Sequence, residues 1–148
     1  MSGFSIIELV VVMVLLAILS AVAVMAVMPR AGENTAGYQA GRLASDLRHT
    51  QMLAMAWGKN LNFATSPGSY SVSCASGSTC TSTPVSDPGH SGSFDVSMES
   101  VTLSATANPL TFDIVGRPSG PATFTLAVDG VTVATVTVAA NTGFVAVQ

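Results

Sequence analysis

The sequence predicts an α+β protein, a long N-terminal helix followed by an antiparallel β-sheet domain. Three observations predict it. Phe4–Met28 is almost uniformly apolar, with Glu8 as its only charge. A stripe of apolar residues at helical spacing runs from Ala36 to Trp57. From Leu61 onward, short runs rich in β-branched and aromatic residues alternate with Pro, Gly, Asn and Asp.

The first segment, at about 1.5 Å per residue, spans roughly 37 Å, enough to cross a bilayer with some tilt. A secretory signal peptide would have a basic leading region, a shorter apolar core and a small-residue cleavage site after it. This segment starts almost at Met1 and stays apolar up to Pro29. A plain membrane anchor would match its length and composition but has no use for Glu8.

RAGEN (30–34) reads as a short polar break, so the helix is expected to kink or loosen near Pro29–Gly32. Beyond it Ala36, Ala40, Leu43, Leu47, Thr50, Ala54 and Trp57 recur at alternating spacings of four and three, one face of a helix. Arg42, Asp46, Arg48 and Gln51 read as lying largely off that stripe. Gly58 and Lys59 read as the helix stop.

The strands follow: LNFAT (61–65) and SYSVSC (69–74) about Ser66-Pro67-Gly68, then FDVSM (94–98), VTLSA (101–105) and LTFDIV (110–115), the last ended by Gly116-Arg117-Pro118. ATFTLAV (122–128), Asp129-Gly130 and VTVATVTV (131–138) form the strongest hairpin signal, before a last short strand, FVAV (144–147). That hairpin contains a conflict. Phe124, Leu126 and Val128 share one face, but Val136 and Val138 have the parity opposite to Val131 and Val133. A bulge near Ala134-Thr135 would put all of them on the buried side.

Cys74 and Cys80 bracket the loop CASGSTC. A disulfide there closes a small ring, worth about 2–2.5 kcal/mol on the chain-entropy estimate, and implies an oxidising compartment. Free thiols are the alternative. A zinc site would need more ligands at tighter spacing, and no CxxC or HxxxH is present.

The net charge of −3 gives no basic field to attract nucleic acid. Catalysis has little support. His49 lies on the helix, and His90 sits in a Pro/Gly loop near Asp87. No GxSxG or comparable nucleophile setting occurs. No enzyme activity and no cofactor are expected.

Gly3-Phe4-Ser5-Ile6-Ile7-Glu8-Leu9 and the apolar run after it resemble the class III signal of type IV pilins and type II secretion pseudopilins. The resemblance implies cleavage by a prepilin peptidase between Gly3 and Phe4, N-methylation of Phe4, and an assembly role for Glu8 at the fifth mature position. The leader Met1-Ser2-Gly3 departs from the usual pattern in having no basic residue. More weakly, Leu43–Arg48 with Gln51, Ala54 and Gly58, and Thr111–Pro118, are similar to GspH/FimT-type minor pilins, a group that takes in pseudopilin H and MSHA-like subunits.

The implied architecture is the type IV pilin fold. Residues 1–3 are the leader, 4–29 the transmembrane and filament-core helix, 30–60 its amphipathic half, and 61–148 a β-rich globular domain. The implied function is that of a structural subunit of a type IV pilus or type II secretion pseudopilus. The alternative is a pilus-tip binding module, an adhesin or a DNA-uptake minor pilin. Asn141–Phe144 lacks the basic Gly-Arg motif of the DNA-uptake members, so no nucleic-acid partner is expected. The implied partners are other pilin subunits, the prepilin peptidase, the inner-membrane assembly platform and, before assembly, lipid. The implied location is the bacterial inner membrane, with the globular part in the periplasm, and later the filament.

Glu8 then has a chemical rationale. A carboxylate in lipid costs about 2.5–3.5 kcal/mol on insertion scales. The amino group of a processed Phe4, on the same or a neighbouring subunit, would neutralise it. The bland alternative is that Glu8 snorkels to the headgroups.

Overall fold

The computed structural model describes the backbone at 6–27, 31–77, 80, 85–89 and 91–148, and the side chains there except at 21–27 and 31–34. It forms two compact units, Met1–Ala31 and Gly32–Gln148.

The first unit holds helix α1, Ile6–Val27, 22 residues long. The second opens with α2, Ala31–Trp57. The polar break expected at 30–34 is therefore already helical from Ala31, with Gly32 inside the first turn; Met28–Arg30 lie outside the described residues. The α2 stripe is buried as the spacing predicts: Ala36, Ala40, Leu43, Leu47, Thr50 and Ala54 are fully enclosed. Thr50 satisfies its hydroxyl by donating back to the Asp46 carbonyl at 2.7 Å. Trp57, at the end of the stripe, is half-buried against the same core. Gly58 (φ 58°) ends the helix. Its N–H donates to Met55 O, and that of Lys59 to Ala54 O, satisfying two terminal carbonyls.

The sequence predicts one antiparallel sheet; the chain forms two. β1 (Leu61–Ser66), β2 (Ser69–Cys74), β3 (Asp95–Ser97) and β5 (Leu110–Phe112) make one, in the order β3-β2-β1-β5. β4 (Thr102–Ala105), β6 (Ala122–Val128), β7 (Val131–Val138) and β8 (Val145–Val147) make the other, in the order β4-β6-β7-β8. All pairings are antiparallel. One apolar cluster joins α2 to both sheets. At its heart Phe63 stacks on Tyr70, centroids 5.1 Å apart, and meets Phe124 edge-on at 5.8 Å.

The β6–β7 hairpin resolves its parity conflict by the expected device, placed one residue earlier. Asp129 (φ 50°) and Gly130 (φ 79°) both adopt left-handed backbone, as a type I′ turn requires. Val128 pairs with Val131 and Ala127 with Thr132, but Leu126 pairs with Ala134, leaving Val133 as the bulged residue. Beyond the bulge Phe124 faces Val136 and Ala122 faces Val138, all buried. Val131, paired with Val128 next to the turn, is exposed.

β5 is shorter than LTFDIV predicts. Asp113 accepts the N–H of Val115 and of Arg117, closing a tight turn, and Ile114 and Val115 are exposed. Cys74 and Cys80 are linked as a disulfide with Cα atoms 6.1 Å apart, inside the usual range; the free-thiol alternative is set aside.

Candidate assembly site

A helix apolar all round must be covered by something, and α1 is such a helix. From Ile6 to Leu19 its large side chains are 48–84% exposed on every side of the helix. Counting only residues with described side chains, no helix is long and apolar enough to cross a membrane; the α1 backbone runs on to Val27, about 33 Å. Fully burying each Val, Leu, Ile or Met would be worth about 1.5–3 kcal/mol. Lipid or another apolar helix would supply that burial.

Glu8 lies in the first turn of α1, exposed, where the helix dipole favours a negative charge. Gly3 and Phe4, the predicted processing pair, lie outside the described residues. So does His90. His49 tilts against Phe94, ring centroids 6.1 Å apart, on the packed side of α2.

Sequence reasoning missed what the off-stripe residues of α2 do. Asp46 is buried, not solvated. It accepts a 2.6 Å hydrogen bond from the Tyr70 hydroxyl and lies 3.7 Å from Arg42, whose guanidinium also reaches Asp87 at 3.8 Å. Burial pushes the Asp46 carboxyl above its ordinary value; the Tyr70 hydrogen bond and the Arg42 charge oppose this. Burial, then the Asp46 carboxylate, hold the Tyr70 phenol protonated well above its usual range. The spacing held a signal for this: Asp46 stands three residues after Leu43 and four before Thr50, on the flank of the buried stripe.

Gln51 and Arg48 are likewise tertiary ties. Gln51 Nε2 donates to Gly116 O at 2.8 Å and to Thr142 O at 2.9 Å. Arg48 donates to Val145 O at 2.8 Å. The two loops are pulled so close that glycine is required in each. A Cβ on Gly116 (φ 80°) would fall 2.8 Å from Met55 Sδ, and one on Gly143 (φ 65°) would meet the Gln51 amide. The Gly-Arg-Pro signal that was read as ending a strand thus marks a docking point for α2.

The Asp46 shift carries a pH dependence. The folded state keeps a proton that the unfolded chain loses above about 3.8. Stability from this group is therefore present below the ordinary value and is lost as pH rises to the raised one. Replacing Asp46 with Asn keeps an acceptor for Tyr70 and removes the titration. The stability difference between wild type and Asp46→Asn should move in the variant's favour across that window. Urea unfolding followed by Trp57 fluorescence between pH 3.5 and 7 checks it; a difference that stays flat contradicts the assignment.

No protein-family model matches the chain, and no curated protein matches it either. Solved structures do. Two crystal forms of the type IV minor pilin FimU from Pseudomonas aeruginosa PAO1 share the fold. One has a TM-score of 0.60 at 14% identity, covering 81% of this chain and 92% of that one. The other has a TM-score of 0.56 at 12% identity, covering 74% and 89%. The chain therefore has the type IV pilin fold.

Proposed function

We propose that the chain is a structural subunit of minor-pilin or pseudopilin type, of the GspH/FimT kind, in a type IV pilus or type II secretion pseudopilus. Prepilin peptidase cuts it after Gly3 and methylates Phe4. Before assembly, residues 4–29 cross the bacterial inner membrane and the globular part stands in the periplasm, where Cys74 and Cys80 are oxidised. The assembly platform then moves α1 from lipid into a filament core of neighbouring pilin helices. Glu8 enters that core paired with the Phe4 ammonium.

One observation carries this reading: a helix apolar on all sides, with a single carboxylate in its first turn, precedes a unit of type IV pilin fold. A soluble domain would gain nothing from α1, and a simple anchor would not need Glu8.

The processing step gives a direct test. Co-expressed with a prepilin peptidase, the chain should lose Met1–Gly3 and gain one methyl group in its intact mass. Gly3→Val should abolish both changes while leaving the chain in the membrane. A wild-type chain that keeps its first three residues beside an active peptidase contradicts the reading.

A further inference from the structure

Gln39 sits in the first half of α2 and ties it to the turn that follows β3. Its Nε2 donates to the Glu99 carbonyl at 3.1 Å. Its Oε1 is buried and, among the described residues, has no hydrogen-bond partner. Turning the amide over would set its oxygen against the Glu99 carbonyl, two acceptors with no hydrogen between them. A buried acceptor without a donor is costly, so Gln39 calls for a donor that the described residues do not supply.

There is room for one. A cavity of about 280 Å³ is lined by Tyr38, Gln39, Arg42, Tyr70, Met98 and Glu99. Drug-sized ligands occupy pockets of about 300–1,000 Å³, so this cavity suits a smaller molecule. Its electrostatics favour a cation. Arg42, the one cation among the lining residues, lies 3.7 Å from Asp46 and 3.8 Å from Asp87, so its charge is already offset. Glu99 on this cavity and Asp95 on the neighbouring one are exposed. Neither carboxylate has a cationic partner among the described residues. Tyr38, 74% exposed, adds the face of an aromatic ring.

An aromatic face attracts a planar guanidinium, which is more weakly hydrated than an ammonium and leaves water more readily. The guanidinium fork also carries enough N–H donors to serve an amide oxygen and a carboxylate together. We propose that this cavity binds a small organic cation of the alkylguanidinium class. One N–H donates to Gln39 Oε1, the charge faces the Glu99 carboxylate, and the plane lies against the Tyr38 ring.

The test uses the full-length chain in a zwitterionic detergent, with binding read by saturation-transfer NMR on the ligand. Butylguanidinium should give a saturable signal with a Kd of about a millimolar or tighter. Butylammonium, with the same charge and chain, should bind about threefold more weakly, and neutral butylurea should not saturate. Glu99→Gln should weaken butylguanidinium about fivefold. Tyr38→Leu should weaken it about threefold, and Tyr38→Phe, which keeps the ring, should not. Both positions are exposed, so a folding defect does not imitate these losses. Gln39→Met should remove the saturable signal; if that variant unfolds, the two exposed positions still decide. A pentapeptide with one central arginine separates the sources of the group. Tighter binding than butylguanidinium makes the natural ligand an arginine side chain of a protein; weaker binding makes it a free cation. The proposal is overturned if neither butylguanidinium nor the peptide saturates, the outcome expected if water alone fills the cavity. Equal binding of the three butyl probes, or a signal indifferent to both Glu99→Gln and Tyr38→Leu, overturns it as well.

Discussion

Glu8→Leu should insert into the membrane at least as well as the wild type, be cleaved after Gly3, and be almost absent from filaments. Insertion improves because a carboxylate costing about 2.5–3.5 kcal/mol in lipid is gone. Cleavage persists because the peptidase of the resembled family reads the glycine. Assembly fails because the Phe4 ammonium enters an apolar core without its counter-ion. Removing one partner of a buried pair costs about 3–5 kcal/mol, which is about two to four decades of an assembly equilibrium. The assay is the fraction of the variant recovered with sheared or cross-linked filaments, with membrane level and processing followed by blot. Normal incorporation at a normal membrane level would leave Glu8 as a snorkelling residue. It would also remove the physical reason for an acid in this helix.

The second large effect lies in the globular core. Phe63 is fully buried, stacked on Tyr70 and edge-on to Phe124. Truncation to alanine removes both ring contacts and leaves a cavity where α2 meets the two sheets. Losses of this kind cost about 3–5 kcal/mol, about a fifth or more of the stability of an ordinary domain. With a slope of about 1.5 kcal/mol per molar urea, the midpoint should fall by about 2 M or more. Trp57 is the only tryptophan in the chain and is half-buried on this core, so its fluorescence reports the transition without added label. A fall of less than half a molar would mean that the core collapses around the gap, or that Phe63 carries less of it than its burial implies.

The fold was legible where the pattern is local. The α2 stripe could be read residue by residue, because helical spacing alone decides which side chains face a core. The hairpin turn and its bulge could also be read, the turn from Asp129-Gly130 and the bulge from the parity conflict. The bulge was misplaced by one residue because Val133, Ala134 and Thr135 all fit a strand, and pairing rather than composition chooses among them. The division into two sheets could not be read. Alternation tells which face of a strand is buried but not which strand lies beside it, so β4 and β5, adjacent in the chain, could not be assigned to different sheets.

At the candidate site the balance is similar. Glu8 stands out because its surroundings are uniformly apolar. Asp46, Arg48 and Gln51 read only as lying off the stripe because their partners, Tyr70, Val145, Gly116 and Thr142, are far away in the sequence. A polar residue can be buried once its partner is supplied, and helical periodicity carries no information about that partner. Ile114 and Val115 erred the other way: their composition suits a strand, but the Asp113 turn holds them in solvent.

The central claim is that this chain enters a filament through α1 as a processed pilin subunit. Mass spectrometry of the N-terminal peptide from purified filaments or cross-linked assemblies tests it most directly. The account predicts that the chain is present there and begins at N-methylated Phe4. It would be contradicted if the chain were found only in the membrane fraction, still beginning at Met1, while the other filament subunits were assembled and processed.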